Sequence, residues 1–77
     1  NTQIDFQLPE TTILNIVIYN AIGQTVKNIS SREYQPGKYT FIWNGKDDNG
    51  SMVSSGIYFI SFESKFDTSV KKIAVIR

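Results

Sequence analysis

The chain has 77 residues, a formal net charge of +1 from eight basic and seven acidic side chains, and neither cysteine nor histidine. A chain this short makes one domain that buries only about 60% of the surface its unfolded form exposes, with room for one core and none for a deep catalytic cleft. The missing residues exclude a Ser-His-Asp triad, an imidazole base near neutral pH and an ordinary zinc site; the balanced charge argues against a nucleic-acid footprint, and no apolar run approaches the roughly 20 residues of a membrane helix.

The dominant period is two, the signature of half-buried strands. Thr2 to Leu8 alternates strictly, with Ile4, Phe6 and Leu8 on one face, and Pro9 ends it. Ile13 to Tyr19 is apolar on both faces: Leu14, Ile16 and Ile18 share one, and Ile13, Val17 and Tyr19 share the other. Such a strand is central in its sheet or has its second face covered. Asn20 to Gly23 is a short connection. Gln24 to Ile29 forms a third strand with Val26 in the core, and Ser30 to Gln35 reads as polar loop. Pro36-Gly37 marks a turn. Lys38 to Trp43 alternates again, with Tyr39, Phe41 and Trp43 together, and Tyr58, Ile60 and Phe62 share a face after Gly56. Lys65-Phe66-Asp67 breaks the chain before a last strand, Thr68 to Arg77, with Ile73 and Val75 inward. Six or seven short strands joined by Gly, Pro and Asn turns make an antiparallel β-sandwich.

The stretch Trp43-Asn-Gly-Lys-Asp47-Asp48-Asn49-Gly50 carries the sharpest chemical question. As an EF-hand loop with Gly50 at the sixth place, it would put Gly45 first and Gly56 twelfth, where the strongest ligands belong. A turn explains it better, because Asp and Asn side chains bond their own backbone and Gly supplies positive φ. A weak calcium site of another kind stays open. Asp47 and Asp48, being adjacent, point to opposite sides of an extended chain and make no facing carboxylate pair, so no catalytic residue is expected and the chain is read as non-enzymatic. Trp43 is the best candidate for a sugar- or base-stacking platform, but its alternation with Phe41 and Tyr39 favours the core. Tyr19 and Phe59, on the second faces of their strands, suit a partly exposed contact patch. Lys71, Lys72 and Arg77 read as a solvated basic strand face rather than a phosphate site.

Five blocks in order resemble a known family: Tyr-Asn-x-x-Gly-Gln at 19–24, Pro36-Gly-x-Tyr39, Trp43-Asn-Gly-x-Asp47-x-x-Gly50, Gly56-x-Tyr58 and Lys71-Lys72-Ile-x-Val-Ile-Arg77. Together they are similar to the type A C-terminal sorting domain of the type IX secretion system, and also to the immunoglobulin-like domain of flagellar hook-capping proteins. The resemblance implies an immunoglobulin-like sandwich without catalysis or cofactor. It implies residues 1–77 as one domain of a larger secreted protein, its cargo domain on the N-terminal side. The cargo would pass through the periplasm and across the outer membrane to the cell surface or medium, with the secretion machinery and a sortase-like peptidase as partners. Pro36, Gly37, Tyr39, Gly56, Tyr58, Lys71, Lys72 and Arg77 would be the recognition motifs, and Trp43, Asp47, Asn49 and Gly50 a turn signature, with no metal, nucleic-acid or membrane-inserted partner. The alternatives are a purely structural immunoglobulin-like module of hook-capping type and, third, a small carbohydrate-binding module. The last strand, with basic side chains on its outer face, would offer an edge for a receptor strand.

Overall fold

The alternating segments become six strands in the computed structural model, which describes residues 1–76: β1 (Thr2–Leu8), β2 (Thr12–Asn20), β3 (Thr25–Tyr34), β4 (Gly37–Trp43), β5 (Gly56–Glu63) and β6 (Thr68–Val75). β1 and β4 form a two-stranded antiparallel sheet, and the second sheet runs β3-β2-β5-β6, antiparallel throughout. This is the expected all-β, immunoglobulin-like sandwich with six strands. Arg77 lies outside the described residues.

Register decides what each sheet buries. Ile4 lies opposite Phe41 and Phe6 opposite Tyr39 in the small sheet. Ile16 faces Phe62, Ile18 faces Ile60, and Tyr58 faces Ile73 in the large one. These inner faces close on each other around Trp43, Ile16, Ile18 and Ile60, the largest fully buried side chains. Burying each stabilises the fold by about 1.5–3 kcal/mol relative to exposure. Phe6 joins the sheets through rings: it stacks on Tyr39 at 5.1 Å within its own sheet and meets Phe62 at 5.0 Å and the edge of Tyr34 at 5.7 Å across the core.

β2 is central, as its two apolar faces require. On the outer face, the Tyr19 hydroxyl and the Ser61 hydroxyl both donate to Glu63 Oε2, at 3.0 and 2.8 Å. Glu63 stands four register steps along the β2–β5 ladder from Tyr19, so the tyrosine ring runs past Val17 and Ser61, and both are buried. Phe59, directly opposite Tyr19, is half-buried.

Two expectations need correcting. Ser30 to Tyr34 is not loop but the second half of β3. β3 is an edge strand, so polar residues satisfy its wet face, and only Tyr34 is needed inside. Its hydroxyl pairs with Ser30 Oγ, and the Arg32 guanidinium lies 3.8 Å above its ring. Register shifts between Ile16 and Val17 and between Ile18 and Tyr19 also break the two-residue period. They let Val26 and Ile29, three apart, both pack on the core. The second correction concerns the basic cluster. Lys71 and Lys72 are neighbours on β6 and therefore face opposite ways. Lys71 lies opposite Ile60 on the inner face, and its Nζ donates to the Asp5 carbonyl of β1 at 2.6 Å. Only Lys72, opposite Phe59, stands on the outer face.

Candidate functional site

The signature residues resolve into two devices, each used twice. The first is a five-residue turn, Asx-x-x-Gly-x. At Asp47, the carboxylate Oδ1 accepts the N–H of Asn49 and of Ser51, both at 2.9 Å, while the Gly50 N–H donates to the Asp47 carbonyl at 3.0 Å. The Asp47 N–H then donates to the Ser51 carbonyl at 2.9 Å. At Asn20, Oδ1 accepts from Ile22 and Gln24, Gly23 donates to the Asn20 carbonyl, and Asn20 N–H donates to Gln24, within 0.2 Å of the same distances. Gly50 sits at φ +82° and Gly23 at +87°, where a side chain is strained. An amide thus does at 20 what a carboxylate does at 47, so the turn needs an acceptor oxygen and not a charge. Asn49 contributes its backbone N–H.

The second device is Gly-x-Tyr. The Tyr39 hydroxyl donates to the Gln35 carbonyl, and the Tyr58 hydroxyl donates to the Ser54 carbonyl at 2.7 Å. In each case the acceptor lies four residues upstream, across a glycine of extended positive φ, 147° at Gly37 and 158° at Gly56. The ring packs on the core while its hydroxyl ties down the incoming loop, in the manner of the tyrosine corner of immunoglobulin-like folds. Pro36 lies in the exposed bend of the first corner, directly before Gly37. Trp43 closes the set: its Nε1 donates to the Lys46 carbonyl at 3.0 Å, and its ring meets the edge of Tyr58 at 5.6 Å. Trp43 is 2% exposed, which removes it as a stacking platform.

Asp48 has a role that sequence reasoning missed. Its carboxylate accepts the backbone N–H of Asn28 at 3.2 Å and the Asn28 amide at 3.1 Å, and its own N–H donates to the Val26 carbonyl at 3.1 Å. Lys27 Nζ stands 3.9 Å away. The acidic turn therefore lies along the free edge of β3 and occupies its ladder groups, one of the ways that sheets avoid edge-to-edge association. The available signal was the spacing Asn20-x-x-Gly23 against Asp47-x-x-Gly50, which marks Asp48 as the residue left over after the turn is made.

The structure scatters the expected recognition residues. Pro36, Gly37 and Tyr39 lie at the β3–β4 corner; Gly56, Tyr58, Trp43, Asp47, Asn49 and Gly50 lie at the opposite end; Lys71 and Lys72 lie on β6. Among the described residues, no three Asp or Glu side chains are placed to hold a metal ion. The perturbed acidities are those of paired surface groups. The Thr40 and Gln3 hydrogen bonds, with the charge of Lys71 behind them, hold the Asp5 carboxyl below the usual carboxylate range. The hydrogen bond to Glu63 raises the Tyr19 phenol. Asp5 borders an open cleft with Lys71 and Lys72, and Tyr19 is tied to Glu63 on the outer face of the large sheet.

No curated protein matches the chain. Among solved structures, that of FlgD from P. aeruginosa superposes with a TM-score of 0.71 at 22% identity, over 91% of this chain and 54% of that one. The present chain thus spans about half the length of that structure, and the likeness speaks for the fold. The family model described as the FlgD Ig-like domain matches residues 1–67, which take in both Asx turns, both tyrosine corners and Trp43. By that match over most of its length, the chain belongs to the FlgD Ig-like domain family.

Proposed function

We propose that this chain is a non-catalytic structural module of a flagellar hook-capping type protein, acting through its surface in an assembly. The observation that carries this reading is the family match over residues 1–67, which covers the turns and corners that build the sandwich. In support, the conspicuous side chains are engaged in the fold: Asp47, Tyr39, Tyr58 and Trp43 all bond backbone. The test is a chimera in which this chain replaces the matching segment of FlgD from P. aeruginosa. Hooks assembled by the chimera support the reading. A chimera that is stable, exported and folded but builds no hooks counts against it.

A second reading, the type IX sorting domain, rests on the resemblance of one terminal block. The block Lys71-Lys72-Ile73-x-Val75 lies beyond the residues that the family model covers, on strand β6 at the edge of the large sheet, with Ile76 just past its end. On that reading the secretion machinery and a sortase-like peptidase act on the domain, and a cargo domain travels with it through the periplasm to the cell surface.

A further inference from the structure

The edges of this sandwich are treated unequally. β3 is broken by two register shifts and overlaid by Asp48. On β1, Lys71 occupies the Asp5 carbonyl. β6, by contrast, pairs with β5 in unbroken register from Glu63↔Thr68 to Gly56↔Val75, and β6 is the last strand of its sheet. A regular, unbulged edge of eight residues is a template for a further strand.

The seam beside that edge is also unfilled. Two clefts open between β1 and β6. One, of about 390 Å³, is lined by Phe6, Leu8, Leu14 and Phe62; the other, of about 370 Å³, by Ile4, Ile60 and Ile73. Lys71 lines both, and its bond to Asp5 divides them. On the inner face of β6, Ser69 borders the first cleft and Ile73 the second. The two positions are four residues apart, about 13 Å along a strand.

We infer that β6 accepts an antiparallel strand from a protein partner, whose sequence runs apolar–acidic–small–x–apolar. The two apolar residues, opposite Ile73 and Ser69, enter the two clefts. The small residue passes over Lys71, and the acidic one meets Lys72 on the outer face. Charge selects the partner: β6 itself carries two lysines and no acid, while Asp67 and Asp5 line the clefts beside it, so the partner's acidic residue belongs opposite Lys72 and its cleft positions stay uncharged. It also selects against a second copy of this chain. The two central registers of a two-fold β6 pair set Lys71 or Lys72 against its own image, and like charges directly opposite are destabilising. The inference stands on β6 and its clefts alone and does not depend on the hook-capping reading.

The probe is a short peptide, Thr-Val-Glu-Ser-Thr-Val-Thr, acetylated and amidated, with a twin carrying Lys in place of Glu. Amide hydrogen exchange and chemical shifts of the chain are read with and without each. The expected result is at least tenfold slower exchange in the Val70–Ala74 segment with the acidic peptide, and β3 amides unchanged. Lys72→Glu should weaken the acidic peptide at least tenfold and bring in the Lys twin. Equal binding of both peptides by the parent chain would overturn the charge rule. Unchanged β6 exchange at saturating peptide would overturn the site. Protection of β6 that grows with protein concentration in the absence of peptide would assign the edge to a second copy instead.

Discussion

Replacing Asp47 separates a turn from a metal site. Its Oδ1 accepts two backbone N–H groups at 2.9 Å from a half-buried position. Asp47→Ala removes the acceptor of both bonds. A hydrogen bond of this sort contributes about 0.5–1.5 kcal/mol net, and the freed N–H groups on an open turn recover part of it from water, so the loss should be about 1–2 kcal/mol. For a domain of this size, each kcal/mol moves Tm by about 4–8 °C, so the variant should melt roughly 5–15 °C lower. Asp47→Asn keeps the acceptor oxygen, and Asn20 already runs the same turn with an amide, so its cost should stay below about 0.5 kcal/mol. Thermal unfolding of the parent and both variants, each with and without millimolar calcium, decides the matter. An Asn variant as damaged as the Ala variant would refute the acceptor argument. So would calcium that raises the parent's Tm and not that of Asp47→Asn.

The core and corners give further expectations. Trp43→Ala should cost about 3–5 kcal/mol, as large aromatic deletions do, a large share of the roughly 4–12 kcal/mol expected for a chain of this length; a melt within two degrees of the parent would contradict its place in the core. Tyr58→Phe leaves the Ser54 carbonyl without its donor beside a ring only 7% exposed and should cost about 1–2 kcal/mol, whereas Tyr39→Phe, at a half-buried corner, should cost about 0.5–1; urea unfolding of both and of the double variant should show the losses adding. Gly50→Ala meets no neighbour within 4 Å, so its penalty, about 1–2 kcal/mol, is backbone strain alone at φ +82°, and unfolding midpoints should show it. Asp5 has a folded pKa below its unfolded one, so its hydrogen bonds stabilise the fold above about pH 4, and that contribution disappears as pH falls through the folded value. The gap in Tm between the parent and Thr40→Val should therefore be present near neutral pH and close in acid; a gap that persists below about pH 2 assigns the loss to packing.

The sandwich was legible because its inner faces are apolar in strict alternation. Ile4, Phe6, Phe41, Trp43, Tyr58, Ile60 and Phe62 all take the positions that their spacing assigns. The second half of β3 was hidden because an edge strand needs few apolar residues and because two shifts in pairing break the period through Val26 and Ile29. The turn at Asp47 could be read from residue types, since Asp-x-x-Gly encodes its own backbone bonds. Its reach to Asn28, twenty residues upstream, could not, because nothing local to Asp48 names the edge it covers. Lys71 misled for a related reason. A lysine in a strand reads as solvated, yet its long stem lets it start on the inner face and end on a carbonyl of the opposite sheet. The recognition motifs were thus found as motifs, and only the fold shows that most of them are turns and corners.

The most direct test of the structural-module reading is export. The chain is fused to the C-terminus of a fluorescent protein with an inner-membrane signal peptide, expressed in a type IX-competent bacterium, and compared with a fusion that lacks residues 70–77. The expected result is that both fusions remain in the periplasm while the intact domain is folded by protease resistance. Appearance of the intact fusion at the surface or in the medium, with the truncated one left behind, would contradict that reading and make β6 part of a sorting signal.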